Sequence, residues 1–271
     1  MSNNDLRTFT EENKLNDKPQ KVYIYFSRYA YLKMALTRQA IYFNTASASN
    51  DIFDSTVADW DLVLRQILYD RKTFLKFVSS TQKKHIEGML DLGHISTMHG
   101  AFVRVFKMLS KSEIANLLDG LSRHPLYRQA QYRLAYFTED NNSLLMWAHY
   151  GCALKGYCLE LSTALDPDLF SRLKKVEYGT ERNTEMDINL YFKKSNVWQY
   201  EKEWRIATDP GDPLLSKDHF INTKAISGII IGERVRNKKC VKKLAEKFNL
   251  DVYIAKANAH KYKIDIEPEK K

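Results

Sequence analysis

Cysteine is scarce in this chain: Cys152, Cys158 and Cys240 are all there are in 271 residues, and no two form a C-x-x-C. That material supplies neither a disulfide framework nor a zinc ribbon, and it fits a reducing cytoplasm. Glycine and proline are also few, 10 and 6, so linkers between domains have little to be built from and residues 1–271 read as one domain. No apolar run approaches the roughly 20 residues of a membrane-crossing helix, which argues against spanning a membrane. Met1 to Gln20 is polar, with no hydrophobic stretch ahead of a small-residue cleavage site, which argues against export. The chain also lacks G-x-x-x-x-G-K-[ST], a G-x-G-x-x-G after a strand, a G-x-S-x-G elbow and H-E-x-x-H. P-loop, Rossmann, α/β-hydrolase and zinc-protease chemistry therefore have no basis here.

What is present describes a folded chain. Hydrophobic residues make up 44% and charged residues 28%, enough to bury a sizeable core under a solvated surface. Forty-two Lys and Arg against thirty-three Asp and Glu leave a formal charge of +9, a bias towards polyanions such as nucleic acid. Part of the excess lies in Arg236 to Lys243 and in the last three residues. A solvated helix face or a chain end is the commoner source of such runs.

Val22 to Phe26 is β-branched and aromatic and follows Pro19, so a strand is expected. Tyr29 to Arg38 places Leu32, Ala35 and Leu36 on one helical side, and Ala40 to Phe43 returns as a short strand. Asn44 to Ser55 is polar and reads as a loop. From Thr56 to about Gln131 the apolar spacing is helical throughout, beginning with Trp60, Val63, Leu64, Ile67 and Leu68, and without a fixed repeat period. This stretch is expected to be a helical insertion. Beyond it, strands are expected at Arg133 to Phe137, Gly156 to Leu161, Lys175 to Tyr178, Glu203 to Thr208, Gly228 to Ile231, Val252 to Ala255 and Tyr262 to Ile266. Helices are expected at Ser143 to Tyr150, capped by Asn142 or Ser143 and stopped by Gly151, and at Arg234 to Phe248. Strands and helices do not alternate strictly, so the class is α+β with a mixed or antiparallel central sheet.

Three segments could carry chemistry. In Trp198 to Ala207, strand alternation would project Glu201, Glu203 and Arg205 from one face while Trp204 and Ile206 enter the core. A solvent-facing, salt-bridged row accounts for this spacing. If the face lines a cleft, one carboxylate could stabilise a developing cation while the other orients a nucleophile. In the loop, Asn50, Asp51 and Asp54 serve as turn and cap residues, with Ser55 able to cap a helix from Thr56; a magnesium site is the sharper alternative, but the spacing matches no metal-binding loop. In Met146 to Tyr150, His149 and Tyr150 are the polar-tipped members of a single turn, placed to donate to a substrate if the carboxylate strand lies nearby.

Together these segments resemble a widespread bacterial family, the domain of unknown function 2971. The likeness is carried by Tyr23-Ile24-Tyr25-Phe26, the F-N-x-x-x-x-x-N-D-x-F-[DE] loop from Phe43 to Asp54, and M-W-x-H-Y-x(5)-G-x-C-L-E from Met146 to Glu160. Lys193, the W-x-Y-E-K-E-W-R run and Ile226 to Gly232 ahead of a basic helix extend it. Where the family has N-D-P-F-E, this chain has Asn50-Asp51-Ile52-Phe53-Asp54.

In order and motif the layout also resembles the ADP-ribosyltransferase superfamily. That resemblance implies NAD as a substrate, contacted by Ser27 or Arg28 on the first strand and by Tyr42 with Asn44 on the second, with His149, Tyr150 and Arg205 nearby. It implies Glu203 on the ribose hydroxyl, stabilising an oxocarbenium-like transition state, and Glu201 orienting the acceptor. The acceptor would be nucleic acid or protein, in a toxin or phage-defence setting. Two other expectations stand beside it: a non-catalytic nucleic-acid-binding or interaction module, and a metal-dependent nuclease using Asp51, Asp54 and the glutamates.

Overall fold

The computed structural model describes residues 18–45, 49, 51, 53–55, 132–182, 188–209 and 211–269. The expected helical insertion, Asn50, and the helix that Ser55 was to cap lie outside the described residues. The elements run β1 (Lys21–Phe26), α1 (Tyr29–Arg38), β2 (Ala40–Tyr42), β3 (Asn44–Thr45), β4 (Arg133–Thr138), α2 (Leu144–His149), β5 (Tyr157–Ser162) and α3 (Pro167–Phe170). They continue with β6 (Lys174–Lys175), β7 (Glu177–Gly179), β8 (Lys193–Ser195), a 3-10 turn (Asn196–Glu201) and β9 (Glu203–Thr208). The last are β10 (Phe220–Asn222), β11 (Ile226–Gly232), α4 (Lys238–Lys247), β12 (Asp251–Ala257) and β13 (Ile264–Pro268).

The main sheet has nine strands in the order β13-β12-β11-β5-β1-β4-β9-β6, with β3 pairing β4 beside this path. Every pairing in it is antiparallel except β11 with β12, which α4 connects as parallel strands require. The α+β class and the mixed, mostly antiparallel sheet follow the sequence pattern. One face of the sheet carries Val22, Leu159, Ile229, Phe137 and Ile206, and α1, α3 and α4 cover it with Leu36, Phe170 and Val241. Tyr23, Cys158 and Ile230 stand on the opposite face against Trp147 and Leu154. Burying a leucine such as Leu36 stabilises the fold by about 1.5–3 kcal/mol.

Several boundaries moved for identifiable reasons. The expected strand Lys175 to Tyr178 is two strands, because the chain changes sheets at Val176: β6 pairs β9, and β7 runs parallel to β8. Helix α4 begins at Lys238 rather than Arg234. The amides of Glu233 and Arg234 are committed to the carbonyls of Ala255 and Leu154, and Asn237 Oδ1 accepts from the Tyr157 hydroxyl at 2.5 Å. Of the two cap candidates for α2, Ser143 accepts from the Met146 amide. The chain leaves α2 through Cys152, Ala153 and Leu154, all at positive φ (50°, 52° and 64°). Gly232 packs against this left-handed turn so closely that a methyl group there would collide with the Leu154 carbonyl.

Strands β1 and β5 pair along six residues, whereas β1 and β4 are joined only at Tyr23↔Thr138. Past that point they part. The gap between them is where side chains from both faces of the sheet meet around one cavity. No helix among the described residues is long and apolar enough to cross a membrane.

Candidate functional site

The cavity has a volume of about 780 Å³ and is lined by Tyr25 and Phe26 of β1, Tyr31 of α1, Tyr136 of β4, and Glu201 and Glu203 among others. Alternation on β9 places Glu203 and Arg205 on one face and Trp204 and Ile206 in the core, as the spacing predicts. Glu201 departs from expectation. It ends the 3-10 turn instead of sitting on the strand, and Lys202 at φ 44° reverses the chain between the two glutamates. Both carboxylates still reach the same place, because one ammonium joins them: Lys194 Nζ lies 2.6 Å from Glu201 Oε2 and 3.1 Å from Glu203 Oε2.

Arg205 anchors the cluster from behind. It is fully buried and donates from Nε to Glu203 Oε1 (2.7 Å), from Nη1 to Asp54 Oδ1 and the Tyr191 carbonyl (both 2.8 Å), and from Nη2 to Asp54 Oδ2 (2.8 Å) and Glu203 Oε2 (3.0 Å). Its cross-strand neighbour Tyr136 presents a ring 5.1 Å from the guanidinium carbon. Burial opposes the Arg205 charge, but the Glu203 and Asp54 carboxylates outweigh it and hold the group more firmly protonated than usual. Burial likewise works against the Asp54 anion, and the Arg205 guanidinium overcomes it, holding that carboxyl below the ordinary aspartate value. Lys194 follows the same pattern: burial opposes its charge, and Glu203 and Glu201 raise its pKa.

The two glutamates therefore differ. Glu203 has both oxygens engaged by Arg205 and Lys194, and its amide donates to the Tyr178 hydroxyl at 2.8 Å. Glu201 is held by Lys194 and by the Tyr150 hydroxyl at 2.6 Å. Burial pushes its pKa above the ordinary glutamate value, and Lys194 and Tyr150 only partly offset that. A carboxyl whose pKa is raised in this way is a better proton acceptor than an ordinary glutamate.

The other sequence candidates separate clearly. Tyr42, at the mouth and 48% exposed, lines the cavity, as do Asn44 and Tyr150. Ser27 and Arg28 are exposed residues just past β1, Arg28 flanking the start of α1, and neither is among the lining residues. His149 is exposed and pairs through Nδ1 with the Tyr200 hydroxyl at 2.9 Å. Arg205 stands behind the carboxylates. Asp54, weighed as a turn or magnesium residue, instead clamps Arg205. Lys193, part of the family-like pattern, is exposed, and the site uses Lys194. Alternation on β8 makes one of these two lysines inward, but nothing in the sequence says which. Tyr178 and Tyr136 gave no signal of their own.

No protein-family model, no curated protein and no solved structure matches this chain.

Proposed function

We propose that this protein is an enzyme of the ADP-ribosyltransferase-like kind, using NAD as a substrate for transfer or hydrolysis, with Glu201 as the carboxylate that meets the reacting atoms. The observation that carries this reading is Glu201 lining a tyrosine-rich cavity, with one oxygen held by Lys194 and the other by Tyr150. As nicotinamide leaves ribose, positive charge develops on the sugar ring, and a preorganised anion stabilises it. The incoming water or acceptor hydroxyl then gives its proton to Glu201, whose raised pKa suits that exchange. Glu203 acts here as a positioning residue, because its lone pairs already face Arg205 and Lys194. This reverses the roles implied by superfamily resemblance. Tyr42 at the mouth offers a ring face to the nicotinamide.

The test is nicotinamide release from NAD by the wild type and by Glu201→Gln. We expect kcat to fall by about 10²–10⁴-fold, the usual contribution of a positioned acid or base. Equal turnover by the two proteins would falsify the assignment.

A second reading rests on α4. Its Lys239, Lys243 and Lys247 are exposed and four residues apart, so like charges line one helical face. That face suits the phosphates of a nucleic acid, either as the acceptor of the transferase or as the ligand of a binding module.

A further inference from the structure

With Glu201 ionised, the carboxylate end of the cavity carries one more negative charge than positive. Three carboxylates, Asp54, Glu201 and Glu203, meet two cations, Lys194 and Arg205, in one connected cluster. Neither cation is free to receive an anion. Every N–H of Arg205 has an acceptor, and Lys194 is shared by two carboxylates and lies 5.1 Å from the centre of the Trp198 ring. An anionic group brought to this end would face uncompensated carboxylate and find no unengaged donor among these two side chains. A neutral group would leave the excess charge unanswered.

The walls add a second, independent preference. Tyr23, Tyr25, Tyr31, Tyr42 and Tyr136 all line the cavity, and Tyr136 stands at its carboxylate end, opposite Arg205. Aromatic faces attract a desolvated cation by about 0.5–2 kcal/mol each, and quaternary nitrogens, which cannot use hydrogen bonds, rely on such faces. A metal ion would instead need several converging oxygen ligands, and the carboxylate oxygens here are already engaged by Lys194, Arg205 and the Tyr150 hydroxyl.

We infer that the cavity takes an organic monocation, of the quaternary ammonium or pyridinium type, with its charge placed against Glu201 and the tyrosine rings. The inference rests on the location of the proposed site but not on its chemistry: it holds whether or not NAD is cleaved. It names the feature of a substrate that the site selects, the positive charge itself.

Choline and its neutral carbon analogue 3,3-dimethylbutan-1-ol have the same shape and differ only in charge, so they isolate this preference. Titrated into the full-length wild-type protein and followed by calorimetry or by tyrosine-ring NMR shifts, choline is expected to bind about tenfold more tightly or better, a difference of about 1.4 kcal/mol. In Glu201→Gln the gap should narrow towards unity. Equal affinities, a preference for the alcohol, or no response to choline at concentrations where the alcohol binds would overturn the inference, and the wild-type comparison decides even if the variant fails to fold. Charge discrimination without nicotinamide release would leave the inference standing and remove the NAD proposal. Nicotinamide release without charge discrimination would do the reverse.

Discussion

Arg205 and Asp54, 151 residues apart in sequence, meet as two parallel hydrogen bonds of 2.8 Å with both side chains fully buried. The planar guanidinium matches the carboxylate, and the fork fixes direction as well as distance. This pairing ties the loop after β3 to strand β9. Through Glu203 and Lys194 it continues to Glu201, so the carboxylate at the cavity is positioned by a chain of ions that begins on a distant loop.

Asp54→Ala leaves Arg205 buried without one of its two carboxylate partners. Breaking a buried pair from one side costs about 3–5 kcal/mol, and an unfolding free energy from urea titration lower by that amount is expected. Adding Arg205→Met should cost less than the sum of the single changes, since both act on one network. Additive losses in denaturation would show that the pair is not coupled.

Acidity should act on Asp54 and Glu201 in opposite senses. Asp54 has a folded pKa below its ordinary value, so its stabilisation is present above the unfolded carboxyl's pKa and disappears as pH falls through the depressed folded one. Glu201 has a folded pKa above its ordinary value. Folding therefore favours its protonated form, and its contribution declines as pH rises from the unfolded value through the raised folded one. Urea stability measured at several pH values should show a steeper acid loss in the wild type than in Asp54→Asn, and Glu201→Gln should lack the decline that sets in as pH rises above the ordinary glutamate pKa. In the activity profile, the acid limb set by Glu201 should lie above the ordinary glutamate pKa; a limb at or below it would remove Glu201 as the base.

The turn after α2 gives a pair of opposite expectations. Gly232→Ala forces a methyl group into the Leu154 carbonyl, and overpacking against backbone should lower stability by about 1–3 kcal/mol. Ala153 is exposed at φ 52°, a conformation that glycine adopts without the Cβ clash, so Ala153→Gly should raise stability by up to about 1 kcal/mol. Thermal melts of the two variants moving in the same direction would contradict this account.

If α4 meets nucleic acid, Lys239→Glu combined with Lys243→Glu should weaken binding to duplexes of any sequence alike. It should also flatten the dependence of log K on log salt by about 0.9 for each phosphate that is no longer neutralised. Fluorescence anisotropy across a salt series measures both. An unchanged slope would assign those lysines to solvent.

The sequence alone determined the regular elements where one physical signal dominates. Leu32, Ala35 and Leu36 at helical spacing gave α1 its limits, and alternation from Glu203 to Thr208 gave β9 its two faces, because these depend on neighbours a few residues away. Short elements such as β10 and the break at Val176 were illegible, since their hydrogen bonds come from strands far along the chain. Glu201 and Glu203 were visible as a pair, but their different roles were not. Only the tertiary structure decided that Arg205 clamps Glu203 while Lys194 and Tyr150 hold Glu201 at the cavity. Local pattern sets which way a side chain points, whereas its charge state and freedom depend on what the fold brings against it.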